Sequence, residues 1–226
     1  MTTQQTHQQG IKVPSDGLSR FVRAGAWAAM VSGVALVVSM LLAWLVVPYE
    51  RLGQTEAYLT SSYSVSSGLR LLGLVLLVWG LIGIYGSQSR AAGTFGLWTF
   101  VVVFLCTALA AGNTWAEVFV YPTLAQIAPD MLSGAGFGTE AAMYISVGIN
   151  SSYPLFFLGL VLFAAATFWA GVYPRWIAVL LIISIPVTMF LDPTAGSFQE
   201  SIGQILLGTA VAALGWYALR TPTSIK

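Results

Sequence analysis

Charged residues are what this 226-residue sequence has least of: they make up 8% of it, against 57% hydrophobic residues and a mean hydropathy of +0.82. Soluble domains carry about 25% charged residues, so this chain has too few to cover a water-facing surface. The composition therefore predicts a membrane protein. With a net charge of +1 and no Lys/Arg cluster, it offers no basic surface to nucleic acid. Histidine occurs once, as His7 in the polar N-terminal stretch. That excludes bis-histidine haem ligation, histidine–zinc sites and Ser–His catalysis within the apolar part. The only lysines are Lys12 and Lys226, so no bundle lysine can form a Schiff base. Cys106, the single cysteine, lies in an apolar run, which rules out an internal disulfide and suits a packing role. No G-x-x-x-x-G-K-[ST] loop occurs, and the glycine-rich SGAGFG (133–138) follows no strand, so it reads as a hinge. The expectation is a protein with no cofactor and no metal, and the missing residue types argue against an enzyme.

What the sequence does have is long apolar runs. A helix needs about 20 apolar residues to cross a hydrocarbon core of roughly 30 Å, and six segments qualify. They are Ala24 to Val47, Leu69 to Gly86, a run from about Gly93, Tyr153 to Gly171, Arg175 to Leu191, and Ile202 to Leu219. Ser151 or Ser152 is expected to cap the fourth, with Pro154 in its first turn. Continuous hydrophobicity rather than alternation of period two excludes a β-barrel. The predicted fold is an all-α polytopic bundle of six transmembrane helices. Residues 1–20 read as a disordered polar tail, 21–220 as a single membrane domain and 221–226 as a short second tail. The first apolar run is too long for a signal-peptide core and lacks an A-x-A exit, so it is expected to be retained as a span.

Lys12, Arg20, Arg23, Arg90, Arg175, Arg220 and Lys226 fall on one side of such a bundle, and only Arg51 and Arg70 on the other. By the positive-inside rule both termini are cytoplasmic. Tyr49, Tyr58, Tyr63 and Tyr144 would form an outer aromatic belt, and Trp27, Tyr85, Tyr173, Trp176, Trp216 and Tyr217 an inner one. Small residues at spacings of three and four (Gly25, Ala29, Gly33; Gly80, Gly83, Gly86; Gly208, Ala212) allow close backbone approach. They are expected to be packing seams within the bundle, or a face for a membrane-protein partner or a second copy.

The least lipid-like stretch of the apolar part is AGNTWAEVFVYPTLAQIAP (111–129), in which Asn113, Glu117 and Tyr121 recur every four residues before Pro122. That spacing puts them on one helix face. Counted from Gly93, Glu117 lies about 36 Å along a straight helix, beyond the roughly 30 Å hydrocarbon core. A rim position can be hydrated, and substitution of Glu117 by alanine would then leave folding intact. Arg70, Asn150, Tyr153, Asp192 (in FLDPTAG) and Gln204 arrive at helix ends on the same level. Two readings stay open. Either these are unrelated side chains where helices leave the membrane, the reading that depth favours, or they converge on an outer polar vestibule around Glu117.

The segments LIGIYGSQSRAAGTFGLW, AGNTWAEVFVYPTLAQIAP, GVYPRWIAVLL and GQILLGTAVAALGWYALR together resemble a diffuse group of small multi-pass bacterial proteins, known only as hypothetical membrane proteins. The resemblance implies a bacterial inner-membrane location and no activity. The functional expectation is a non-catalytic accessory or scaffold protein in the lipid bilayer. The alternative is a small-solute or cation binder or transporter that uses the vestibule.

Overall fold

The computed structural model describes residues 15–132, 140–190 and 198–220. Among them the chain is all-helical, with no strand. The elements are α1 (Ser15–Val46), α2 (Tyr49–Ala57), α3 (Ser61–Phe119), α4 (Tyr121–Ile127), a 3-10 turn (Pro129–Met131), α5 (Glu140–Ala170), α6 (Arg175–Phe190) and α7 (Phe198–Arg220). Among the described residues four stretches are long and apolar enough to cross a membrane: Ser19–Leu45, Ser61–Phe119, Ser151–Ala170 and Ser201–Arg220. A shorter apolar stretch, Arg175–Thr188, lies in α6.

Helix α3 contains two of the apolar runs expected from the sequence, Leu69 to Gly86 and the run from about Gly93. At 59 residues it would reach about 89 Å if straight. It is not straight, because Gly93 adopts φ 57 and ψ −154, a backbone conformation that a side chain disfavours. The two limbs, 61–92 and 94–119, fold back on each other. Tyr85 stacks on Phe100 with ring centroids 4.5 Å apart, and Arg70 touches Glu117, 47 residues further on. The first limb is begun by Thr60, whose extended backbone and side-chain oxygen cap the helix by accepting from the Tyr63 N–H at 3.2 Å. A second glycine, Gly171 at φ 63, ends α5 by donating to the Thr167 carbonyl.

The bundle is held at its small residues. Helix α1 packs between the first limb of α3 and α7. A methyl group built on Gly25 would lie 2.7 Å from the Gly83 Cα, one on Gly80 2.7 Å from the Ala29 Cα, and one on Gly215 2.7 Å from the Ala26 carbonyl oxygen. Backbones this close maximise van der Waals contact, the main attraction between helices where lipid is as apolar as the side chains. Serines reinforce the seam. Ser39 and Ser66 each donate to the other's carbonyl oxygen, at 2.8 and 2.9 Å, and Ser32 donates to the Gly73 carbonyl at 2.7 Å. The second limb of α3 packs on α5, with Val103 against Gly159. The central core gathers Leu77, Leu81, Leu160, Phe163, Ile177 and Leu214.

Several expected boundaries move. Helix α1 begins at Ser15, so residues 15–20 are helical rather than part of a tail. Helix α5 begins at Glu140, and Pro154 sits inside it rather than in a first turn. Pro122 marks a break: α3 stops at Phe119 and α4 restarts with the proline near its N-terminus.

Candidate functional site

The α3 fold-back, Pro122 and α5 together create a polar cluster at one end of the bundle. The cap at Thr60 fixes the register of the first limb, which places Arg70 opposite the end of the second. There the Arg70 guanidinium donates to Glu117 Oε2 in an ion pair, with side chains 16% and 10% exposed. The other oxygen, Oε1, accepts from the Tyr153 hydroxyl at 2.8 Å and from Asn113 Nδ2 at 3.4 Å. Thr114 stands 3.2 Å from the same Tyr153 hydroxyl. Both carboxylate oxygens are thus engaged by groups of the chain itself.

Of the eight residues singled out in the sequence, Arg70, Asn113, Glu117 and Tyr153 form one hydrogen-bonded group. Tyr121 packs close by, 6% exposed, and its buried hydroxyl has no hydrogen-bond partner among the described residues. Gln204 is in α7 and makes no hydrogen bond to the group. Asp192 lies outside the described residues. Asn150 is helical, and its side chain lies outside the described ones. Glu117 itself is buried, at 8% exposed, so the hydrated carboxylate inferred from depth is not what the fold provides. Counting along a helix locates a residue relative to the bilayer but is blind to the neighbours that cover it.

Tyr58 and Tyr63 were expected to face lipid in an aromatic belt. They are instead 7% and 4% exposed and packed with Tyr121. Ring centroids are 4.8 Å apart for Tyr58–Tyr63 and 5.5 Å for Tyr58–Tyr121. Burial, and after it the Glu117 charge, pushes the Tyr58 hydroxyl up to about 12 and raises that of Tyr121 as well. Both stay protonated at neutral pH. Thr114 escaped notice in the sequence, although it adjoins Asn113 and points to the α5 side. Its one available signal was its place inside the stretch that also carries Asn113 and Glu117.

A second polar group, also unforeseen, closes the opposite end. Gln88, 1% exposed, donates to Thr167 Oγ1 at 3.1 Å. Ser87 hydrogen-bonds Tyr173, which also donates to the Ile84 carbonyl at 3.3 Å. Both groups tie α3 to the chain around α5. No cluster of three or more His, Cys, Asp or Glu suited to a metal ion occurs among the described residues.

Beside Asn113 the surface opens into a groove of about 430 Å³ between the second limb of α3, α4 and α5. Ala108, Gly112 and Ala116 form one wall, Tyr121 and Leu124 lie at one end, and Gly148 comes from α5.

The fold and the two polar clusters define an all-helical bundle whose apolar helices suit a membrane. No protein-family model matches the chain, and no curated protein or solved structure is significantly similar to it.

Proposed function

We propose that this chain is a six-crossing, non-catalytic integral membrane protein of the bacterial inner membrane, serving as an accessory or scaffold subunit. The crossings are α1, the two limbs of α3, α5, α6 and α7. Limbs of about 48 and 39 Å each exceed a bilayer core of roughly 30 Å. Exposed Arg20, Arg23, Arg90, Arg175 and Arg220 gather at the end where α1 starts, while Arg51 and Arg70 lie at the other. The positive-inside rule then makes both termini cytoplasmic. Arg175 over Phe168 and Arg220 over Trp216, at 5.3 and 4.1 Å, suit side chains reaching from an aromatic belt toward lipid headgroups.

The observation that carries the non-catalytic reading is that both oxygens of Glu117 are engaged by groups of the chain. Arg70, Tyr153 and Asn113 hold them, so a cation or substrate would have to compete with groups of the chain itself. In this reading the cluster is a clamp that holds the fold-back shut against α5. A thermal-shift series of the purified protein with sodium, potassium, calcium and magnesium tests it. No ion should stabilise the wild type more than it stabilises Glu117→Gln. A cation that raises Tm only when Glu117 is present refutes the clamp and favours the vestibule. Topology is checked separately, with single cysteines on a Cys106→Ser background. Gln54→Cys should react with an impermeant maleimide from outside, and Ala91→Cys only after the membrane is opened.

The groove beside Asn113 favours a second reading, binding of a small molecule, because its volume falls within the range of about 300–1,000 Å³ usual for ligand sites.

A further inference from the structure

We infer that the lipid-facing flank of the seam between α1 and α7 binds an anionic phospholipid, whose phosphate is gripped by Arg20, Arg23 and Arg220 beside Trp27 and Trp216. The two helices meet through small residues. Gly33 packs on Gly208 and Ala212, and Gly215 on Ala26 and Met30. Numbers fall on α7 as they rise on α1, so the helices are antiparallel. Counted residue by residue from the Gly215 contact, Trp27 stands level with Trp216, and Arg23 with Arg220. In both helices the arginine lies one turn beyond its tryptophan, toward the end where α1 starts.

The helical period also fixes the side on which these residues stand. At about 100° per residue, Arg20, Arg23 and Trp27 lie roughly a quarter-turn round α1 from the residues that touch α7. Trp216 and Arg220 lie roughly the same quarter-turn, in the same sense, round α7 from Gly208, Ala212 and Gly215. In an antiparallel pair, equal rotations lead to the same side of the plane that holds both axes. The three arginines and two tryptophans therefore share one flank, and each of them is exposed. No cluster shows in the linear sequence, because Arg220 joins Arg20 and Arg23 only across the seam. Toward the bilayer interior the same flank continues as exposed Val31, Val34 and Val38 on α1 and Ala213 on α7. That apolar, low-profile surface suits acyl chains.

Charge and depth select the occupant. Arg20, Arg23 and Arg220 form no ion pair among the described residues. Asp16 is the one acid in the first 49 residues, a single negative charge against three positive ones. Arg220 lies over the Trp216 ring at 4.1 Å. Stacking holds the guanidinium plane and leaves its edge N–H groups to take a phosphate in a fork. Exposed tryptophans mark the membrane interface, so arginines one turn further out lie at the depth of lipid phosphates. A choline headgroup would bring its own ammonium against three cations. A soluble anion or acidic peptide would leave the tryptophans and valines of the flank unmatched.

The inference rests on the bilayer placement proposed above. That placement is read from the two cysteine variants without added lipid, whereas lipid preference is read in micelles, which have no sides, so either fails alone. The purified full chain in neutral detergent is titrated with dioleoylphosphatidylglycerol, dioleoylphosphatidylcholine and inorganic phosphate while Tm is followed. Only phosphatidylglycerol should raise Tm, and saturably. Arg23→Gln and Arg220→Gln should each weaken its apparent affinity about fivefold, the worth of one arginine near an anionic headgroup plane, with Tm in phosphatidylcholine unchanged. Arg175→Gln, a cation lost at the same end but from α6 over Phe168, should leave the affinity as it is. If a seam variant proves unstable, a tail-diazirine phosphatidylglycerol cross-linked to the wild type in nanodiscs decides, and it should mark residues 27–38 and 209–216 above all other lipid-facing positions. An equal response to phosphatidylcholine overturns the inference, and a shift with inorganic phosphate alone overturns it in favour of a soluble anion. A loss with Arg175→Gln as large as with Arg23→Gln overturns it too, because the preference then follows net charge and not this seam. Cross-links spread evenly over the helices have the same consequence.

Discussion

Removing Glu117 from the cluster puts the clamp to its most direct test. Glu117→Ala takes away the partner of Arg70 and the acceptor of Tyr153 and Asn113 in one step. What remains is a guanidinium whose side chain is 16% exposed and whose buried Nε already lacks a partner among the described residues. Breaking one side of a buried pair costs about 3–5 kcal/mol, because the surviving charge is stranded. The residual exposure places the expected loss toward the lower end of that range. Glu117→Gln keeps an acceptor for the Tyr153 hydroxyl and should lose less. Tyr153→Phe removes one hydrogen bond to a charged group, worth about 1.5–3 kcal/mol at most. Arg70→Met with Glu117→Met replaces the pair by apolar groups, and should recover most of what either single change loses. The assay is reversible unfolding in mixed micelles, with all four corners of the cycle measured. If Arg70→Met and Glu117→Met prove additive, the two residues are uncoupled and the clamp does not exist. A Glu117→Ala loss below about 1 kcal/mol would return Glu117 to the hydrated rim position inferred from its depth alone.

Three further outcomes are expected. Gly33→Val drives a branched side chain into the Gly208 carbonyl and the Ala212 backbone, and should destabilise by at least about 1–3 kcal/mol, read as lost Tm or expression. Ser39→Ala and Ser66→Ala each remove one of a reciprocal pair and should cost about 0.6 kcal/mol apiece, with little further loss on combining them if the two bonds share one alignment. Tyr173, buried against Ser87, is pushed up to about 12 from 10.0 by that burial, which the Ser87 hydrogen bond opposes. The folded state then holds a proton that the unfolded chain releases, so stability is complete below about pH 10 and falls by about 1.4 kcal/mol per pH unit toward 12. Ultraviolet titration of phenolate with Tyr173→Phe as reference checks this, and ionisation near pH 10 would contradict it.

Much of the architecture was legible in residue order because the bilayer imposes a one-dimensional rule. A run of apolar residues either is or is not long enough, and Gly93, Pro122 and Gly171 mark breaks by their own backbone chemistry. The boundaries were less legible. Ser61 and Glu140 begin their helices earlier than the apolar runs do, because a helix is made by backbone hydrogen bonds and does not need apolar side chains to continue. The small-residue spacings of α1, α3 and α7 announced close packing, but only the assembled bundle says that Gly25 meets Gly83 and Gly80 meets Ala29. The serines at 32 and 39, seven apart on that same face, carried a signal that was available and unused.

For the candidate site the division falls at a physical boundary. The sequence by itself determined an apolar composition that suits a membrane, the helical class, the absence of histidine and lysine from the apolar part and the shared helix face of Asn113, Glu117 and Tyr121. Each of these follows from composition or from local periodicity. Only the tertiary structure decided that both Glu117 oxygens are engaged, that Tyr58 and Tyr63 are buried rather than lipid-facing, and that Gly112 and Gly148 border empty space. Arg70 and Glu117 are separated by 47 residues, and no local rule pairs them. Their contact exists because one glycine turns a helix back on itself, which converts a depth along the chain into a neighbour across it.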